Sequence, residues 1–282
     1  MNRTILNARP LAVAPLFALL LLAAPAPAQT AQPQASPGPT PLAPARAYVA
    51  GTPSAAVHAF YKALGERRFR EAFAMSVFRP AVEGLSQEEF EELRPDFERM
   101  ATGVPAEIVL TGEQVSGEEA TVFLKLGEGD KVKVEPVFLL REGGAWIVAT
   151  GEGREGQKAI KKSGRKFFFE ARIEAHHQEV EQMLQRIKLA QGIFASQNNG
   201  RFGDLAALVR AGFVPQDILG SDTTGYRFAV STAADGKKFT ATAEPARYGR
   251  TGKLSFYVDE TAPAVQKKDT GGKPFRPEQK KD

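Results

Sequence analysis

The chain has 282 residues, with 37 basic and 33 acidic side chains and no cysteine. That length allows two ordinary domains with cores of their own, and the missing thiols exclude disulfides, cysteine-ligated metal, thiol catalysis and lipidation of an N-terminal cysteine. The pI of ≈ 9.2 overstates the basic character, because Arg3 and Arg9 alone carry half of the formal net charge of +4; so balanced a surface is not a nucleic-acid footprint.

Residues 1–28 read as a secretory signal. Arg3 and Arg9 form the positive region, "LAVAPLFALLLLAA" the apolar core, and Ala26–Pro27–Ala28 a small-residue cleavage site. Pro15 breaks the apolar run and Pro25 and Pro27 follow it, which favours cleavage over a retained anchor. No later segment is apolar enough to span a bilayer, so the expected location is periplasmic or secreted. Residues 29–51 are rich in Pro and Ala and read as an extended linker.

Residues 52–151 read as a first domain. Thr52 or Ser54 can cap a helix whose first turn holds Pro53, and Val57, Phe60, Tyr61 and Leu64 follow at helical spacing. Phe69, Ala72 and Phe73 mark a short second helix. Ser86 and Glu89 form a capping box ahead of Phe90, Leu93, Phe97 and Met100, and Pro95 is expected to bend or interrupt that helix. The texture then turns to strands: "AEIVLTGEQV", "EEATVFLKL", "KVKVEPVFLLRE" and "AWIVATG", with Gly143–Gly144 as a tight hairpin turn. Helices first and an antiparallel sheet second predict an α+β domain with helices over one face of the sheet.

A first helix with "VHAFYKAL", a short F-x-x-A-F helix and a meander closing on GG-x-W-I-V resemble the NTF2-like superfamily, in particular its small exported cystatin-like members. The resemblance covers about a third of the chain, by pattern rather than by a diagnostic motif. It implies a curved sheet with a cone-shaped interior, and functions from isomerase to pure binding or assembly domain. The acid–base pair of the enzymatic members has no counterpart here: His58 lies on the first helix without an assignable acidic partner, and an ordinary surface or core-edge role is expected for it.

Residues 152–168, with Arg154, Lys158, Lys161, Lys162, Arg165 and Lys166, read as a solvated basic linker rather than a patch for anionic lipid, polysaccharide or an acidic partner. Residues 169–265 read as a second domain. A long helix, at least Glu170 to Gln197, carries Val180, Met183, Leu184, Ile187, Gln191 and Phe194 at helical spacing and stops at Gly200. A short helix at Leu205, Leu208 and Val209 comes next. Strands are expected at "GYRFAVSTA", "KKFTATAEP" and "KLSFYVDE", the first two joined at Asp235–Gly236. In the last strand Leu254, Phe256 and Val258 share one face, and Ser255 and Tyr257 the other. Residues 266–282 read as a disordered tail.

The blocks "KLAQGIFASQNNGRFGDLAALVRAGFV", "GYRF", "FTATAEP" and "YGRTGKLSFYVDE" resemble, in that order, the soluble head of the major pseudopilins of type II secretion and related type IV pilin-like proteins. That implies one long helix on a three- to four-stranded antiparallel sheet. The chain departs from the family at the helix start, where "SGRKFFFEARIEAHHQE" lacks the apolar anchor that builds a filament. A soluble derivative of the head is therefore expected.

No catalytic, cofactor-binding or metal-binding set is expected. His176 and His177 are adjacent, about 100° apart on a helix, so they are poorly placed to clamp one ion even with Glu174, Glu179 or Glu181; a solvated polar face is expected instead. Calcium loops of pseudopilins imply Asp259, Glu260 and Asp269 as the local candidates, but "TAPAVQKK" between them lacks alternating oxygen ligands. "GEGREG" lacks the strand, Lys–Ser/Thr pair and helix start of a phosphate loop. Trp146, Tyr248, Phe256 and Tyr257 are expected in cores rather than on a binding face. The resulting expectation is an exported, non-enzymatic binding or envelope-assembly protein with a protein partner or a small ligand. The alternatives are ligand binding or enzyme activity in the first domain's pocket, and a soluble accessory of a secretion or pilus system.

Overall fold

The computed structural model describes residues 50–126, 132–221 and 224–277. The expected signal and all but the last two residues of the Pro/Ala-rich linker lie outside them. The chain is mixed α+β, with two antiparallel four-stranded sheets, and it divides into two compact units between Phe168 and Phe169.

The first unit runs α1 (Pro53–Gly65), α2 (Phe69–Ala74), α3 (Arg79–Glu83), α4 (Gln87–Ala101), β1 (Val109–Ser116), β2 (Glu119–Leu126), β3 (Lys133–Glu142), β4 (Ala145–Ala149) and α5 (Gly153–Ser163). Local chemistry sets these ends. Thr52 Oγ1 accepts from Ala55 N at 3.2 Å, and Ser86 and Glu89 close a reciprocal capping box. One helix runs through Pro95, so it is not interrupted there, and Phe90, Leu93 and Phe97 on both sides of the proline are all buried. Gly143 and Gly144 take φ of 59° and 84° between the paired Glu142 and Ala145, the two left-handed residues of a two-residue hairpin.

The sheet order is β1-β2-β3-β4, and its register sorts the two faces. Ala120, Val122 and Leu124 of β2 share a face with Val137 and Leu139 of β3 and Val148 of β4, and all are buried. Glu113 lies opposite Val122 and reaches Ser54 of α1, which identifies this as the helix-covered face. Val57, Phe60, Tyr61 and Leu64 of α1 are buried with it. Beside it is an aromatic cluster: Phe73–Phe97 at 4.9 Å, Phe97–Phe168 at 5.0 Å and Phe73–Phe168 at 5.2 Å between ring centres, each such pair contributing about 0.5–1.5 kcal/mol beyond area burial.

Residues 152–168 are not the solvated linker expected. Most of them form α5, and a 3-10 turn follows at Gly164–Lys166. Ile160 and Gln157 are buried, Gln157 Nε2 donates to Glu142 Oε2 at 2.9 Å, and Lys161 Nζ donates to Glu142 Oε1 at 2.6 Å. Gly156 permits close approach, since a Cβ there would strike the Thr150 hydroxyl. The basic side chains line the outer side of a helix whose inner side presents Gly156, Gln157 and Ile160.

The second unit contains most of α6 (Phe167–Gln197), then α7 (Leu205–Arg210), a 3-10 turn at Gln216–Leu219, β5 (Tyr226–Thr232), β6 (Phe239–Pro245), β7 (Leu254–Asp259) and β8 (Gln266–Asp269), the strands in the order β5-β6-β7-β8. Val180, Leu184, Ile187 and Ala190 of α6 form one core with Tyr226, Phe239, Ala241, Ala243, Phe256 and Val258 of the sheet. Gln191, read as part of the apolar stripe, is fully buried and exchanges two hydrogen bonds with the Gly203 backbone, 2.6 Å to its O and 3.0 Å from its N. At Asp235–Gly236 the turn is a wider loop over residues 233–238, with Gly236 at φ 69° and Ala233 N bonded to Lys238 O.

The expected disordered tail is also corrected. Gln266–Asp269 is strand β8, paired along β7 from Leu254↔Asp269 to Tyr257↔Gln266. Beyond it, Ser255 Oγ donates to Lys273 O at 2.8 Å and lies 2.9 Å from Thr270 Oγ1, and the rings of Tyr257 and Phe275 meet edge to face. Ser255, on the face of β7 opposite Phe256 and Val258, is therefore fully buried. Residues 278–282 lie outside the described residues.

Candidate functional site

The histidine pair is not a solvated face. His176 is 5 % exposed, and its Nδ1 lies 2.8 Å from Thr251 O. His177 Nε2 accepts from the backbone N–H of Lys253 at 3.1 Å and of Leu254 at 3.2 Å. An imidazole nitrogen that accepts two N–H groups carries no proton, so the other nitrogen, Nδ1, holds it. Burial pushes the His177 pKa down to about 4; Glu174 opposes the shift, and Lys267, His176 and Lys253 add to it. Helical spacing places the two rings on different sides of α6, and each secures one end of the same segment, Thr251 to Leu254.

That segment begins with the glycine-bearing turn read from "YGRTG". Gly249 has φ 77°, and Gly249 N bonds Gly252 O at 2.8 Å. A Cβ on Gly252 would fall on the Tyr226 hydroxyl, which donates to Leu254 O at 2.9 Å. Burial raises the Tyr226 pKa far above the phenol range, so the donor keeps its proton. Tyr248, expected in a core, is 48 % exposed, and its hydroxyl reaches both carboxylate oxygens of Asp269, at 3.0 and 3.1 Å.

The three acidic candidates are turned onto their own chain. Asp259 Oδ1 accepts from Thr261 N, Thr261 Oγ1 and Ala262 N, and its Oδ2 accepts from Tyr257 at 2.9 Å. Against the opposing effect of burial, these hydrogen bonds hold the Asp259 carboxyl below its usual range. Glu260 Oε2 accepts from Phe239 N at 3.0 Å, and Asp269 Oδ1 from Gly271 N at 3.0 Å. Among the described residues no group of three or more His, Cys, Asp or Glu is arranged to hold a metal ion.

In the first unit His58 is half-buried beside Val57 on α1. On the helix-covered face, Glu113 Oε2 accepts from Ser54 N at 3.1 Å and from Ser54 Oγ at 2.5 Å. Tyr61 is buried, and that burial, with Glu135 nearby, raises its pKa to about 12, so it is a neutral phenol rather than a base at physiological pH. Trp146 stands across from Arg141 on the β3–β4 hairpin, with the guanidinium 5.7 Å from its ring.

The described residues also form open concave surfaces. In the second unit a cleft of ≈ 350 Å3 is lined by Glu179, Met183, Arg186, Asp217, Thr224 and Phe228. In the first unit a groove of ≈ 610 Å3 crosses the sheet face opposite α1. The register carries one row of residues across all four strands there, Gln114↔Thr121↔Phe138↔Ala149, and beside it the row Ser116↔Glu119↔Leu140↔Ile147. Leu140 is buried, and the first turn of α5 borders the groove, with Arg154 Nε 3.6 Å from Glu119 Oε1. Sequence reading missed this surface because a helix was needed to wall it, and that helix was read as linker.

Compared with protein-family models, curated proteins and solved structures, the chain matches none. No helix among the described residues is long and apolar enough to cross a membrane.

Proposed function

We propose that this chain is an exported binding or envelope-assembly protein without a catalytic centre, built from an NTF2-like unit and a pilin-like head. The reading rests chiefly on how the interior of the first unit is filled. The face where an NTF2-like pocket would open carries Ala120, Val122, Leu124, Val137, Leu139 and Val148, each at most 6 % exposed. The titratable groups on that face are engaged or neutral, Glu113 bonded by Ser54 and Tyr61 a buried phenol. An otherwise aliphatic and aromatic interior suits a scaffold that offers its surfaces, whereas a reaction needs converging titratable groups free to act. The engagement of His176, His177, Asp259 and Glu260 within the chain supports the same view. Export is inferred from the pattern of residues 1–28 and the absence of cysteine. The pilin-like reading draws on the order of one long helix, one short helix and an antiparallel sheet, and it makes a soluble accessory of a secretion or pilus system the nearest specific role.

Chemical cross-linking in intact cells expressing the full chain tests this. The expected product is a discrete heteromeric species, which disappears when the exposed Leu189 and Ile193 of α6, 72 % and 49 % accessible, are both changed to Glu. Only monomer after cross-linking, together with a small molecule retained by the purified protein in native mass spectrometry, would overturn it in favour of a ligand-binding or enzymatic pocket.

A further inference from the structure

We infer that the groove across the outer face of the first sheet is a binding site for a neutral saccharide. The row Gln114, Thr121, Phe138 and Ala149 spans four adjacent strands, about 14 Å over three inter-strand gaps. That length suits a short oligosaccharide better than a single ring. Phe138 stands in the middle of the row and is 40 % exposed, unusual for a large aromatic side chain in the centre of a sheet. Its Cε2 lies 3.7 Å from where Gly151 would carry a Cβ, so no side chain at that position covers the ring.

The chemistry around the ring points to a sugar. A pyranose presents an apolar C–H face, which an exposed aromatic ring can cover, and a rim of hydroxyls that donate and accept hydrogen bonds. The rim of the groove supplies both kinds of partner: the amide of Gln114, the hydroxyls of Ser116 and Thr121, the carboxylate of Glu119 and the guanidinium of Arg154. Arg154 and Glu119 face each other at 3.6 Å and Glu152 adds one further carboxylate, so the lining has only a slight acidic excess and offers no cluster of charge for a strongly ionic ligand. A nucleic-acid backbone would require a cluster of cations. An extended peptide would dock by main-chain hydrogen bonds along a strand edge, whereas on this face the backbone groups are already paired between strands.

The inference rests on the groove's own lining and does not depend on the assembly reading. Its test is isothermal titration of the full chain with cellotriose, maltotriose and triacetylchitotriose. At least one should bind saturably; Phe138→Ala should weaken it by about tenfold or more, while Phe138→Tyr, which keeps the ring, stays within roughly threefold. Gln114→Ala, an exposed position, provides a second variant should Phe138→Ala unfold, and it should also weaken binding. Absence of binding by all three sugars up to about 10 mM, or undiminished binding by a folded Phe138→Ala or Gln114→Ala chain, would overturn the inference. Cross-linking to a protein partner would be untouched by any of these results.

Discussion

Acidification should loosen the Thr251–Leu254 segment through His177. Its Nε2 accepts from Lys253 N and Leu254 N, so a proton on that nitrogen would set three N–H groups against one another. The folded pKa is about 4, against 6.5 for the free side chain. A depressed histidine pKa means that the unfolded chain binds the proton more readily. The stabilisation is therefore complete above about pH 6.5, shrinks as pH falls towards 4, and is gone below that. With the side chain only 11 % exposed, solvent screening takes little from the full value of about 3 kcal/mol, of which about 2 kcal/mol should be lost between pH 7.5 and pH 5. Amide hydrogen exchange at Lys253 and Leu254 in the full chain, expressed as protection factors to remove the intrinsic pH effect, reads this directly. In wild type the protection at pH 5 should fall by roughly thirtyfold. His177→Gln puts a neutral carbonyl near the Nε2 position and should remove most of that dependence. Wild-type protection that is flat with pH, or a His177→Gln chain that loses as much as wild type, would refute the reasoning.

Gly252→Ala should destabilise the second unit by about 2–4 kcal/mol in urea unfolding, because the new methyl displaces the Tyr226 hydroxyl from Leu254 O. Gln191→Leu keeps the volume of the α6 stripe but leaves Gly203 N and O without their buried partner; a loss of about 2–3 kcal/mol is expected in the same assay, and no loss would mean that Gly203 finds water instead. In the first unit, Leu124→Ala should cost about 2–5 kcal/mol, followed by the fluorescence of Trp146, since Leu124 is 1 % exposed on the helix-covered face.

What could be read from sequence was what short-range chemistry decides. The Thr52 cap, the Ser86–Glu89 box, the Gly143–Gly144 turn and strands β1 to β7 depend on neighbours within a few residues, and all are present. What escaped depends on partners far along the chain. His176 reaches Thr251 across 75 positions, so its polarity alone suggested solvent. Strand β8 reads "QKKD", a charged string whose order comes entirely from pairing with β7. Helix α5 was hidden by Gly153 and Gly156, which lower helix propensity, although Gly156 is what lets the helix settle on Thr150. The groove was invisible for the same reason: its floor is a register and its wall is α5. Gln191 shows the opposite error, since helical spacing identified a buried position but said nothing of the hydrogen bonds awaiting it there.

Strand β8 also has a protective side. Each of its four residues is exposed, yet it occupies the border of β7, a strand whose Phe256 and Val258 are fully buried. Without residues 266–277, β7 would present a bare row of amide and carbonyl groups beside an apolar surface, an invitation for another copy of the chain to add a strand. Lys267 and Lys268 make the replacement border one that like-charged neighbours repel, and Lys267 is itself held by Glu181 at 2.7 Å. In these terms the last ordered strand guards the sheet against self-templated aggregation, and proteolytic trimming of the C-terminus should produce oligomers before it produces unfolding.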